Sequence, residues 1–224
     1  MDSNPEYIKH WINKSLTVAS MRSTIIGFML ILVDFFMIVP LYIGPNEGIY
    51  TTILLPPLLF LHAFALWIVI APYKRQIVAH LYLGIFCAFL PIGYVIVSIR
   101  LIYEVMGVSS PLYGIVLVVL FLYGFYALFK WHFNNLKSGY YYKVDAGEPT
   151  TNSFSKYGSL GVIGMMIGEV ILGVANGKAV IGALAGTLLI IGAAIGMMSV
   201  SIHKYILIRR HMDWVELDEP PHNK

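Results

Sequence analysis

A single cysteine, Cys87, in 224 residues leaves this chain unable to form an internal disulfide. That excludes thiol–disulfide oxidoreductase chemistry, which needs a pair. Charge is equally scarce. Asp, Glu, Lys and Arg make up 12% of the residues, about half their share in an ordinary soluble domain. A water-soluble domain of this length has to clothe its core in polar side chains, and there are too few here to do so. Also missing are a nucleotide-binding loop, a zincin sequence and a serine nucleophile elbow, so an ATP-driven pump or a familiar hydrolase has no support and no cofactor is expected. What is present in quantity is apolar surface, 58% of the residues. Lipid needs no polar covering, and the expected solvent is a bilayer.

A spanning helix needs about 20 largely apolar residues, because ~1.5 Å of rise per residue must cover a ~30 Å hydrocarbon core. Six windows meet that requirement: Thr24 to Ile43, Tyr50 to Ala71, Ile77 to Ile99, Pro111 to Phe129, Tyr157 to Ala175 and Val180 to Ile202. The expected fold is therefore all-α, a polytopic bundle of six transmembrane helices. A re-entrant hairpin formed by the fifth and sixth windows is the main alternative. Tyr42, Tyr50, Tyr73, Tyr113, Trp131, Tyr157 and Tyr205 stand at the window edges, where an aromatic ring meets both lipid and water.

Lysine and arginine in the connections fix orientation, since they are retained on the cytoplasmic side. The arm before the first window carries Lys9, Lys14 and Arg22 and the second connection Lys74 and Arg75. The fourth carries Lys130, Lys137, Lys143 and Lys156, and the tail Lys204, Arg209, Arg210 and Lys224. Only Arg100 and Lys178 fall on the other side. Both termini are thus expected in the cytoplasm, with the chain in the cell (inner or plasma) membrane. The net charge of +3 expresses this bias and implies no nucleic-acid partner. The first window reads as a retained helix, not a cleaved signal peptide, because mixed polar residues precede it and no small-residue cleavage pattern follows.

Five segments follow from this reading. Residues 1–23 form a cytoplasmic amphipathic arm, 24–133 a four-helix half, 134–156 a basic cytoplasmic loop, 157–205 a glycine-rich helix pair and 206–224 a cytoplasmic tail. In the arm, Asn4 reads as an N-cap and Pro5 as the first helical residue. Tyr7, Ile8, Trp11, Ile12 and Leu16 make an apolar face that either lies on the membrane surface or caps the bundle from below. The helix pair has Gly164 and Gly168, Gly182 and Gly186, and Gly192 and Gly196 at the GxxxG spacing that brings backbones close. These glycines are expected to join the fifth and sixth helices or, as the alternative, two copies of the protein.

Three ionisable residues lie inside the windows: Asp34, His62 and Glu169. A central Asp costs about 2.5 to 3.5 kcal/mol to insert, so such residues face the bundle interior or a water-filled cavity. At ~1.5 Å per residue they lie ~15, ~14 and ~18 Å from the cytoplasmic edges, one common layer. They are the candidates for a site that binds a cation or passes protons; the alternative is interhelical hydrogen bonding that only glues helices. Pro56 and Pro57, about one turn before His62, each remove a backbone donor. A break there would free carbonyls to line a site, and a static kink is the simpler outcome. Arg100 and Glu104 read as an exposed i,i+4 pair at the outer interface. His80, His132 and His203 near cytoplasmic helix ends lack paired metal-ligand spacing, and no metal is expected.

The stretch Lys74-Arg75-Gln76-Ile77-Val78-Ala79-His80, followed after seven residues by Cys87, resembles the active segment of the AgrB family of membrane cysteine peptidases. The resemblance covers about fourteen residues and lacks the glycine-rich character around the family's histidine. It implies a peptidase that trims signalling peptides, with Cys87 as nucleophile and His80 as base. On a continuous helix the two residues lie two turns, ~10 Å, apart.

The reading these residues favour is a non-enzymatic membrane protein in proton-coupled small-solute or ion transport. The alternatives are a non-catalytic interaction protein, such as an immunity or signalling subunit with a membrane or secreted partner, and the peptidase.

Overall fold

The computed structural model describes residues 4–13, 17–44, 48–146, 177–215 and 217–219, and these are helical without a strand. A short α1 (Pro5–Asn13) leads into α2 (Val18–Leu41), α3 (Ile49–Ile70), α4 (Tyr73–Val105) and α5 (Leu112–Lys137). After a brief α6 (Tyr140–Asp145) the last described helix is α7 (Gly177–Arg210), followed by a single turn at Met212–Trp214. Five of these, α2, α3, α4, α5 and α7, are long and apolar enough to cross a membrane. They overlap five of the six expected windows. The window from Tyr157 to Ala175, with Gly164, Gly168 and Glu169, lies outside the described residues.

The helices overrun the windows at their polar ends. α2 starts at Val18, so the arm ends earlier than expected, and α4 runs five residues past Arg100. α3 is continuous through Pro56 and Pro57, so the break that would have freed carbonyls is not there. Leu54, Leu58 and Leu61, all nearly inaccessible, pack on either side of the lost donors, as neighbouring helices allow.

α4 is the central element, with 67% of its apolar window buried. It packs most extensively on α7, and glycine permits the approach. A side chain at Gly192 would meet Pro91 and Tyr94, one at Gly196 would meet Pro91, and one at Gly84 would strike the α7 backbone at Ile202. Gly192 and Gly196 thus lie against α4, the third spanning helix; the expected partner, the fifth window, lies outside the described residues.

α2 is wound differently from its neighbours. Its buried stripe is Met21, Ile25, Met29, Val33, Met37 and Leu41, a residue every four positions. At 3.6 residues per turn each step of four overshoots by about 40°, which over this length would carry the stripe roughly halfway round the helix. The backbone instead widens to π-helical bonding over Phe28–Ile38, and the i→i+5 pattern keeps the stripe on α4. α3, whose buried residues Leu54, Leu58, Leu61, Ala65 and Ile68 alternate steps of four and three, needs no such adjustment.

The two ends of the bundle are distinguishable. At one, Trp11 and Ile12 of α1 pack with Leu136 of α5 and Leu207 and Ile208 of α7. α1 thus packs on the bundle through Trp11 and Ile12 of its apolar face. The starts of α2 and α4 lie at this end, since Val18 and Gln76 both bond Asp218. At the other end the last turn of α4 meets the start of α7.

Candidate functional site

Asp34 sits within the π-helical stretch of α2, next to Val33 of the buried stripe, and His62 sits on α3 one position beyond Leu61 of its own. These placements bring the two side chains together, with His62 Nε2 3.0 Å from Asp34 Oδ1. His62 Nδ1 lies 2.8 Å from the Leu58 carbonyl. A carbonyl oxygen only accepts, so Nδ1 carries a hydrogen and donates it. The proton in the other contact is then confined between Nε2 and Oδ1. Either an imidazolium donates to a carboxylate, or a carboxylic acid donates to a neutral imidazole. Both forms hold one proton more than carboxylate plus neutral ring, and both are neutral as a pair, which suits a low-dielectric setting.

The pair is not sealed. The His62 and Asp34 side chains keep 34% and 41% of their accessibility, respectively.

A second ionic pair, expected at the exposed interface, proves to be interior. Arg100 has no accessible surface and Glu104 keeps 14%. Arg100 Nε lies 3.2 Å from Glu104 Oε2, while Nη1 donates to the Pro40 carbonyl at 3.1 Å and Nη2 to Ile43 at 2.9 Å. The guanidinium closes the carboxyl end of α2, adding a donor to the Pro40 carbonyl beside the Ile43 N–H. Arg100 is interior because α4 continues past the apolar window and its final turn packs against the start of α7. The usable signal was Glu104, four residues on, supplying the countercharge that burial requires.

At the capped end, His132 and His203 meet as Nε2···Nδ1 at 3.0 Å, and Tyr141 Oη lies 2.8 Å from His132 Nδ1. Trp11 covers both rings, with centroids at 5.0 and 5.7 Å. Burial raises the Tyr141 hydroxyl to about 12, with a smaller contribution from Tyr140. His80 is buried on α4, apart from these contacts. Among the described residues no group of three or more His, Cys, Asp or Glu is placed to hold a metal ion.

Cys87 is fully buried and His80 nearly so, on one continuous helix. Seven residues of helix separate them by about 10 Å, beyond the hydrogen-bond reach that a base and its nucleophile require. An apolar groove of about 810 Å³ lies between α4, α5 and α7 and is lined by residues such as Pro91, Phe121, Phe125, Trp131, Leu189 and Met197. It has no ionisable lining residue and is separate from Asp34 and His62.

Composition, helix length and this arrangement together define a multi-pass α-helical membrane protein. No family model, curated protein or solved structure matches the chain.

Proposed function

We propose that the protein is a proton-coupled transporter of a small solute or ion, built as six crossings with both termini on the cytoplasmic face, and that Asp34 and His62 together carry the coupling proton. The observation that carries this reading is the 3.0 Å contact between His62 Nε2 and Asp34 Oδ1, with Nδ1 committed to Leu58. The contact joins two helices within their apolar spans. Intramembrane carboxylate–histidine pairs are suited to proton relay because each partner shifts the other's protonation.

The sixth crossing is supported by parity. α5 ends, and α6 lies, at the end capped by α1, where His10 Nε2 meets Asp145 Oδ2 at 2.8 Å. α7 begins at the opposite end, near Met106. The chain between 146 and 177 has to join the two, and the apolar window within it fits a crossing. The assignment of the capped end to the cytoplasm rests on charge. Of the basic residues on the opposite side, Arg100 is neutralised by Glu104, leaving Lys178.

The deciding experiment is proton uptake into proteoliposomes under an imposed gradient. Asp34→Asn and His62→Gln should each abolish it, and Glu169→Gln tests whether that carboxyl shares the site. Uptake retained in both the Asp34 and His62 variants defeats the reading. The partial exposure of the pair also fits a role as a contact for a partner helix. That second reading predicts a copurifying membrane protein and full tolerance of both substitutions.

A further inference from the structure

The carboxyl-terminal tail does not hang free of the bundle. Past the end of α7, the Trp214 carbonyl accepts from Asn13 Nδ2 of α1 at 2.8 Å. Further on, Asp218 meets the bundle through three groups at once. Its backbone N–H donates to Gln76 Oε1 at 3.0 Å, its carbonyl accepts from Gln76 Nε2 at 2.7 Å, and its carboxylate accepts from the backbone N–H of Val18 at 2.8 Å. Gln76 is buried in the first turn of α4 and offers its amide edge as a two-point match to one residue of extended chain. Val18 opens α2, where a carboxylate complements the unpaired amides and the helix dipole. One tail residue therefore ties the inner ends of α2 and α4.

The tie is built to come undone. Beyond Trp214 and Val215, which pack on the inner cluster, the tail buries little apolar surface: Met212 and Leu217 stay nearly half exposed. A few hydrogen bonds hold the rest, each worth little net of what water would supply. The two helices it joins differ in burial. α4 is the most buried spanning helix, whereas α2 buries only a third of its window along one stripe. Asp34 lies on α2, about 24 Å along the helix from Val18.

We propose that the tail is a detachable strap: the Gln76–Asp218–Val18 clasp pins the inner end of α2 to α4 and thereby restrains the helix movement on which proton exchange at the Asp34–His62 site depends. The strap's gating role rests on the transport reading; its docking does not. With the clasp made, three hydrogen bonds hold the inner end of α2 to α4 through the tail. With it broken, only side-chain packing along the buried stripe holds the inner turns of α2 there.

The test uses the full chain in liposomes, with hydrogen exchange and proton uptake read on the same samples. Gln76→Leu keeps volume and removes the two-point match, and Asp218→Asn keeps that match and weakens only the bond to Val18. Exchange at the tail amides should rise about fivefold or more in Gln76→Leu, the equivalent of one lost hydrogen bond, and less in Asp218→Asn. Proton uptake should rise in the same order. Tail exchange unchanged in both single variants overturns the strap. Faster tail exchange with unchanged uptake overturns the gate while leaving the proton site intact. Uptake absent from the unmodified protein overturns the site reading and the gate with it, and uptake that survives Asp34→Asn overturns the site alone.

Discussion

Two acid–base pairs lie in one bundle and are held in opposite ways. Arg100 and Glu104 are interior, and the guanidinium spends its remaining donors on two backbone carbonyls of the α2 terminus. Asp34 and His62 share one contact, with a single further bond to Leu58, and stay partly open. Arginine cannot release its proton at any pH a protein survives, so the first pair is a fixed tie between helices. Imidazole can, so the second is able to change state. The difference teaches that intramembrane charge is to be judged by the partners that saturate it and the protons it can exchange, not by depth alone.

The largest effect expected is at the fixed tie. Arg100→Leu leaves Glu104 without its countercharge and removes the guanidinium donors from the Pro40 and Ile43 carbonyls, and should cost about 3 to 5 kcal/mol, the range for breaking a buried pair from one side. Unfolding in detergent, followed by the loss of helical signal, measures it. A cost below about 1 kcal/mol, the level of an exposed pair, would place Arg100 in solvent and dissolve the contrast.

The cluster at the capped end grades between the two pairs, being hydrogen-bonded throughout yet made of exchangeable groups. Tyr141→Phe removes the hydroxyl partner of His132 and should cost about 1 kcal/mol. It also carries a pH signature. The folded-state value for Tyr141, about 12, stands above the ordinary 10, so the folded protein holds this proton more tightly than the unfolded chain does. Its contribution is complete below pH 10 and is lost as pH rises from 10 to 12. The stability difference between the unmodified protein and Tyr141→Phe should therefore shrink across that interval. A constant difference would mean that the hydroxyl is solvated.

Much of this was legible beforehand, and the failures have physical causes. Apolar run length found five helices that the structure describes, because hydrophobic thickness is a one-dimensional requirement. Matching depths put Asp34 and His62 in one layer, where their side chains meet, although depth says nothing of azimuth. Contact came from the four-residue period of Met21, Ile25, Met29, Val33, Met37 and Leu41, a pattern visible in the chain that predicts wider winding. Arg100 was misplaced because a hydropathy window closes at the first charge, whereas a helix closes only where its hydrogen bonds end. The glycine spacing of α7 announced a close approach without naming the partner, since GxxxG describes one surface of a two-sided contact. The strap was beyond reach: Gln76 and Asp218 are ordinary polar residues 142 positions apart, and nothing local marks a glutamine whose amide matches a distant backbone.

The smallest stability effect expected is the most discriminating. In Asp34→Asn the new amide is able to donate from Nδ2 to His62 Nε2, so the interhelical hydrogen bond persists in neutral form. Hydrogen bonds between membrane helices average about 0.6 kcal/mol, and the substitution exchanges one for another. Detergent unfolding should then shift by no more than about that amount, while proton uptake is lost, because the asparagine pair cannot hold the transferable proton. A loss of several kcal/mol in Asp34→Asn would equate this pair with Arg100–Glu104. Asp34 and His62 would then be a second tie between helices, one that happens to use a titratable ring.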